Sequence, residues 1–243
     1  MAFKLTYKPF GERAILIEWP QKIDKSVLKD ILLYKEKIQI YNTDFFLDLR
    51  VAYNSLLVIY KNSINNFSVE VSKLKDIYLQ NSVITRTIFR KWKIPVCYDE
   101  TFGLDLEFIS KEKNISKANI IKRHSQAIYT VYFIGFLPGF LYLGGLDEIL
   151  HTPRKPSPRL RIEKGAVAIG GNQTGIYPNE SPGGWNIIGN APINFFDVSK
   201  SSPCFAMAGD SIQFYPVTLD EYHHIKTLVE AGVYQIESEV FDD

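Results

Sequence analysis

Short β-prone apolar runs and longer stretches with helical spacing alternate along the first ninety residues. Residues 13–19 (RAILIEW) read as a strand. Asp24 then offers an N-cap oxygen to a helix whose apolar face is Val27, Leu28, Ile31, Leu32, Tyr34 and Ile38. Two runs, 45–53 (FFLDLRVAY) and 55–60 (SLLVIY), are separated by Asn54 and predict two strands. A second helix is expected over about 67–80, with Phe67, Val71, Leu74 and Tyr78 on one face, followed by a strand over 87–96 that carries Ile88, Trp92, Ile94 and Val96. The order βαββαβ is the split-βαβ, ferredoxin-like pattern, so residues 1–90 are expected to form a small α+β domain.

Beyond Arg90 the pattern changes. Eleven of the fifteen glycines and seven of the twelve prolines lie between Gly135 and Pro192, among short β-prone runs. Many short strands with Gly/Pro turns predict a closed or nearly closed, mainly β barrel over 91–232. Two short helical patterns, 104–111 and 116–125, precede it, and 210–217 (DSIQFYPV) supplies a late strand. Thr218 with Glu221 makes a capping box for a terminal helix that runs to about Glu230 and stops at Gly232. Residues 233–243 are left as an acidic tail.

The run Ser125–Leu146 carries no charge and is long enough to raise the question of a membrane span. Pro138, four glycines and three tyrosines within it fit a strand followed by an apolar Gly/Pro-rich loop better. Lys+Arg and Asp+Glu nearly cancel, 28 against 27, so there is no basic field for a nucleic-acid backbone. Cys97 and Cys204 stand far apart with no metal-ligand spacing, as expected of reduced thiols in the cytoplasm, and no signal-peptide core opens the chain.

There is no GxxxxGK[ST] loop, no GxSxG elbow and no HExxH, and the histidines at 124, 151, 223 and 224 are not at metal spacing, so no metal site is expected. What remains is a dense polar loop system. Residues 170–189 (GGNQTGIYPNESPGGWNIIG) place Gln173, Thr174, Tyr177, Glu180, Ser181 and Trp185 among glycines. Either these glycines only turn barrel corners, or the amide, phenol, hydroxyl and indole groups orient a small ligand beside an aromatic wall. The segment 151–165 (HTPRKPSPRLRIEKG) interleaves Arg154, Lys155, Arg159 and Arg161 with prolines, which makes it a basic surface loop or a set of guanidinium groups held ready for a carboxylate or phosphate. His124, at the end of a short helix, reads either as a capping or packing residue or as a candidate proton carrier.

The pieces 94–98 (IPVCY), 123–125 (RHS), 129–146 (YTVYFIGFLPGFLYLGGL), 152–171, 173–189 and 192–197 (PINFFD) occur in the order of the KipI family, which this sequence resembles over about 92–217. That family is also called allophanate hydrolase subunit 1, or the PxpB-like, B-type subunits of 5-oxoprolinase. Leu141 stands where the family usually has proline. The resemblance implies a cyclophilin-like barrel behind a small α+β domain. It implies partners of the KipA type and of the LamB/YcsF type, forming an ATP-dependent 5-oxoprolinase that opens 5-oxo-proline to glutamate. ATP is then a requirement of the complex, with no cofactor held by this chain alone. Homologous domains serve carboxyl transfer in urea carboxylase, and one branch inhibits a sporulation histidine kinase, for which Phe136, Phe140 and Tyr142 are the candidate apolar groove. On the oxoprolinase reading Arg154, Gln173, Tyr177, Ser181 and Trp185 line the substrate pocket, with His124 carrying the proton.

Overall fold

A computed structural model describes residues 3–41, 44–80 and 88–241, and the chain divides into two compact units, Met1–Thr87 and Ile88–Asp243. The first unit contains β1 (Thr6–Pro9), β2 (Ala14–Glu18), α1 (Lys25–Tyr41), β3 (Phe46–Val51), β4 (Ser55–Tyr60) and α2 (Phe67–Leu79). Period-two alternation puts Ile15 and Ile17 of β2 and Leu56, Val58 and Tyr60 of β4 on one face. Against that face lie Val27, Ile31, Tyr34 and Ile38 of α1 with Leu74 and Ile77 of α2. Asp24 caps α1 as expected, its Oδ1 accepting from the Ser26 N–H at 2.8 Å. The Tyr34 hydroxyl donates to the Leu74 carbonyl at 2.6 Å and ties the two helices together.

The four-stranded sheet is antiparallel with order β1-β2-β4-β3. The ferredoxin-like expectation is corrected here. It needs the strand predicted over 87–96 as fourth member beside β2, and that place is taken by β1, whose residues face Glu18 to Ile15 in register. The predicted strand does form, as β5 (Phe89–Cys97), but it pairs in the second unit; residue 87 lies outside the described residues. Alternation identifies a strand without identifying its neighbours, which is why the pattern misleads.

The second unit continues with α3 (Leu106–Lys113), α4 (Lys117–Gln126), β6 (Ile128–Ile134), β7 (Leu141–Gly144), a single 3-10 turn (Glu148–Leu150), β8 (Arg159–Ile162), β9 (Ala166–Gly170), β10 (Gln173–Ile176), β11 (Ser181–Gly183), β12 (Asn186–Asn190), β13 (Ser211–Val217), α5 (Leu219–Glu230) and β14 (Ser238–Phe241). Seven strands run in the order β12-β9-β10-β7-β6-β13-β5, and the pairing of Asn190 with Cys97 closes β12 onto β5. The result is a closed barrel, antiparallel except for the parallel pair β5 and β13. The uncharged run of 125–146 becomes β6, a Gly/Pro loop and β7, and no helix among the described residues is long and apolar enough to cross a membrane.

The capping box at the start of α5 is present, with the Thr218 N–H donating to Glu221 Oε2 at 2.7 Å and the Glu221 N–H donating to Thr218 Oγ1 at 3.2 Å. The acidic terminus is not merely a tail. Ser238–Phe241 forms an edge strand antiparallel to β5, with Ser238 opposite Trp92, while residues 242 and 243 lie outside the described residues.

Candidate functional site

Strands β9 and β12 of the barrel bury both of their faces. Along β9, Val167 and Ile169 point into the interior with Leu141, Leu143, Ile176, Ile188 and Phe214, whereas Ala166 and Ala168 point outward. There they meet Phe140, Ile162, Tyr177, Trp185 and Ile187 in a second, smaller apolar cluster. The two clusters separate the residues singled out from the sequence.

His124 belongs to the interior. It is 0 % exposed, and its ring stacks on Phe214 with centroids 4.6 Å apart. Thr174 Oγ1 donates to the Ala168 carbonyl at 3.1 Å, so it accepts from His124 Nε2–H at 2.8 Å. Nδ1 is then the bare nitrogen and takes the Tyr98 hydroxyl at 2.7 Å. Burial lowers the imidazole pKa from 6.5 to about 3, because nothing nearby compensates a charge at this depth. The proton-carrier expectation therefore does not hold: both ring nitrogens are occupied by the protein's own groups, and the ring meets no solvent. His124 is the polar centre of the barrel interior, in keeping with the packing alternative.

The outer face gathers the other candidates. Gln173, Gly175 and Tyr177 alternate with Thr174 and Ile176, so Gln173 and Tyr177 share the side opposite to His124. A Cβ at Gly175 would lie 3.1 Å from Phe140 and 3.2 Å from Trp185, so glycine is what lets the rings close over the strand. Phe140 stands edge-on to both Tyr177 and Trp185, with centroids 5.6 and 5.7 Å away. Ser181 pairs with Ile162 in the two-stranded β8–β11 ribbon at the border of this cluster.

Arg154 lies above it, its guanidinium carbon 5.5 Å from the Trp185 ring centroid. The backbone on either side of Arg154 is fixed. The Pro153 carbonyl accepts from Asn186 Nδ2 at 2.9 Å, and the Lys155 N–H donates to the Gly184 carbonyl at 2.7 Å.

Trp185 and Tyr177 are 5 % and 2 % exposed, and burial raises the Tyr177 pKa. They and Ser181 therefore form the wall of the face, while Arg154 and Gln173 are its open groups. Neither open side chain has a hydrogen-bond or ion-pair partner among the described residues. Of the aromatics considered for an apolar groove, Phe140 is 2 % exposed and Tyr142 half-buried; Phe136 is exposed, at φ +63°, a strained backbone for a bulky residue.

One residue essential to this arrangement is not foreseen from the sequence. Asp105, just before α3, is buried and accepts from Arg159 Nη1 and Nη2, both at 2.8 Å, from Lys155 Nζ at 2.8 Å and from the Ile187 N–H at 2.7 Å. Burial alone would raise its pKa, but the Arg159 and Lys155 bonds outweigh that and hold it below the usual carboxylate range. The carboxylate for which the basic segment seemed ready is thus its own Asp105, and the knot pins residues 155–159 beside β12. The remaining basic residue, Arg161, pairs with Glu180 at 2.7 Å on the surface. The only sequence signal for Asp105 is a lone carboxylate between two leucines at a helix start.

A closed mixed barrel with a doubly packed wall, preceded by an α+β unit, is the class this architecture defines. Residues 5–206 match the family described as carboxyltransferase domain, subdomain C and D, and the chain belongs to that family. It is 36% identical over 206 residues to the B-type 5-oxoprolinase subunit of Haemophilus influenzae, a match spanning 85% of this chain and 95% of that one. With the B-type 5-oxoprolinase subunit of Bacillus subtilis the identity is 32% over 239 residues, 93% and 98% of the two chains. Among solved structures, TTHA0988 aligns with a TM-score of 0.73 at 30% identity over 84% of this chain, and this chain spans 40% of that one. The Kluyveromyces lactis urea carboxylase aligns with a TM-score of 0.81 over 99% of this chain at 21% identity, which speaks to the fold alone, and this chain spans 24% of it.

Proposed function

We propose that the chain serves as the B-type subunit of a multi-subunit, ATP-dependent 5-oxoprolinase, in the cytoplasm, together with subunits of the KipA and LamB/YcsF types. Near full-length similarity to two proteins named as B-type 5-oxoprolinase subunits supports the reading. The observation that carries the site assignment is Arg154, a cation without a hydrogen-bond or ion-pair partner among the described residues, held on an aromatic wall by backbone bonds on both sides. A guanidinium in that setting suits a planar anionic group, and 5-oxo-proline has one in its carboxylate. Gln173 supplies an amide donor and acceptor on the same side, matching the two polar atoms of a lactam. ATP is a requirement of the complex; this chain has no GxxxxGK[ST] loop, so ATP is held either on another subunit or in a different way.

The test is co-purification of the three subunits followed by 5-oxoproline-dependent ATP hydrolysis. Arg154→Gln is expected to lower turnover at least about tenfold, the scale of one lost charge-assisted hydrogen bond, with the complex intact. Full turnover by that variant removes the site assignment, and absence of 5-oxoproline-dependent hydrolysis from the complete set removes the function. A carboxyl-transfer role is the second reading, favoured by the fold shared with urea carboxylase; it predicts instead exchange of a carboxyl group with a biotin-carrying partner. No observation favours the kinase-inhibitor reading.

A further inference from the structure

A cleft of about 460 Å³ opens elsewhere on the barrel unit, where the last turns of α4 meet the loop after β7, lined by Asn119, Lys122, Arg123, Gln126, Gly145 and Asp147. None of these residues belongs to the Arg154 face. Arg123 Nη1 donates to Asp147 Oδ2 at 2.6 Å. Each oxygen of that carboxylate then has a partner, because its Oδ1 accepts from the Ile149 N–H at 3.0 Å. The Arg123 pair also holds Asp147 below the ordinary carboxylate range, so it stays charged and bound to Arg123.

The donors on the other side are unspent. Among the described residues Arg123 Nε is buried without any acceptor, and no bond to Nη2 is found. A buried donor left without an acceptor is unfavourable, a penalty that an entering acceptor would relieve. Lys122 forms no ion pair among the described residues, and Asn119 and Gln126 line the same space. The carbonyls at the end of α4 bring partial negative charge, which Arg123 offsets in the last turn.

With Nη1 taken by Asp147, what Arg123 has left is the Nε–Nη2 edge, the fork that grips a carboxylate through two parallel N–H···O bonds. We infer that this cleft is a binding site for a small carboxylate, held side-on by Arg123 and neutralised by Lys122. A guanidinium fork accepts a carboxylate or a phosphate. With Arg123 already paired to Asp147, the remaining charge is that of Lys122, which matches one carboxylate group and leaves a more highly charged phosphate incompletely neutralised, while a neutral amide gains nothing from it.

The experiment uses the full chain and follows the Arg123 Nε–H resonance by NMR during titration with glutarate, with glutaramide and inorganic phosphate as comparison probes. A saturable shift with glutarate is expected, with no response to glutaramide and at least about tenfold weaker binding of phosphate. Lys122→Gln, a position outside the Asp147 pair, should weaken glutarate at least about tenfold, the equivalent of 1.4 kcal/mol. Arg123→Lys keeps a cation beside Asp147 and removes the fork; followed through the Gln126 side-chain amide resonance, which this variant retains, glutarate binding should weaken by as much. No saturable shift, equal binding of phosphate or glutaramide, or unchanged affinity in Lys122→Gln would each overturn the site. Because Lys122→Gln leaves the Arg123–Asp147 pair in place, a folding failure of Arg123→Lys does not remove the test.

Discussion

Gln173 and Thr174 are neighbours in the chain and belong to different parts of the molecule. Thr174 points into the barrel, where it bonds to His124 and to the Ala168 carbonyl, while Gln173 lies on the outer side with Tyr177, Phe140 and Trp185. One face is a sealed polar knot in an apolar interior. The other is an aromatic wall with open polar groups at its rim. The contrast teaches that in this barrel a hydrogen-bonding residue type says little about role until its face is known, because alternation reverses exposure at every step.

The inner and outer faces can be separated by perturbation. The largest effect is expected at the knot that holds the outer loop. Asp105→Asn leaves Arg159 and Lys155 without their buried partner and should cost about 3–5 kcal/mol, measured by urea unfolding of the chain. A cost below about 1 kcal/mol would mean the loop is held by its other contacts alone.

Next is the pH response of the interior. The folded chain keeps His124 neutral down to about 3, whereas a free imidazole takes up its proton near 6.5. The contribution is therefore fully present above 6.5 and is lost as pH falls toward the folded value. At pH 5 the loss should be about 2 kcal/mol relative to pH 8, and His124→Gln should flatten that dependence. An equal slope in the variant would assign it to other groups.

Arg154→Gln, on the outer face, sharpens the comparison from the other side. It should leave the melting temperature within about 2 °C, although it is expected to slow the assembled enzyme. A large drop in melting temperature would make Arg154 a structural residue.

Much of the fold is legible in the sequence, and the reasons for the misses are local. The helices show through Asp24, the Thr218–Glu221 box and their apolar faces. The barrel follows from glycine and proline density. The first and last strands do not, because TYKP and SEVF are short edge strands with mostly exposed residues, and an edge strand need not carry an alternating apolar signal. For β5 the pattern reveals the strand and withholds its partner, since pairing across the chain leaves no local trace.

At the candidate site, loop composition points to Arg154, Gln173, Tyr177, Ser181 and Trp185, and four of them come together around Phe140 and the outer side of β10. Ser181 sits at the border. His124 is misassigned when read as a proton carrier, although Ile120 four residues earlier marks the same buried side of α4. Asp105 escapes notice because its three partners come from residues 155–187, and only the folded chain brings them to it.

The proposed site gives the two sides of β10 different duties, and its most direct test is a pair of adjacent substitutions read by two assays. Thr174→Val removes the hydroxyl that serves His124 and Ala168, and should destabilise the chain by about 1–3 kcal/mol while the folded fraction keeps its turnover in the complex. Gln173→Ala should leave the unfolding curve unchanged and lower 5-oxoproline-dependent ATP hydrolysis at least about tenfold. The opposite pattern, with turnover lost at Thr174 and stability lost at Gln173, would contradict the division of the barrel wall into a structural and a functional side.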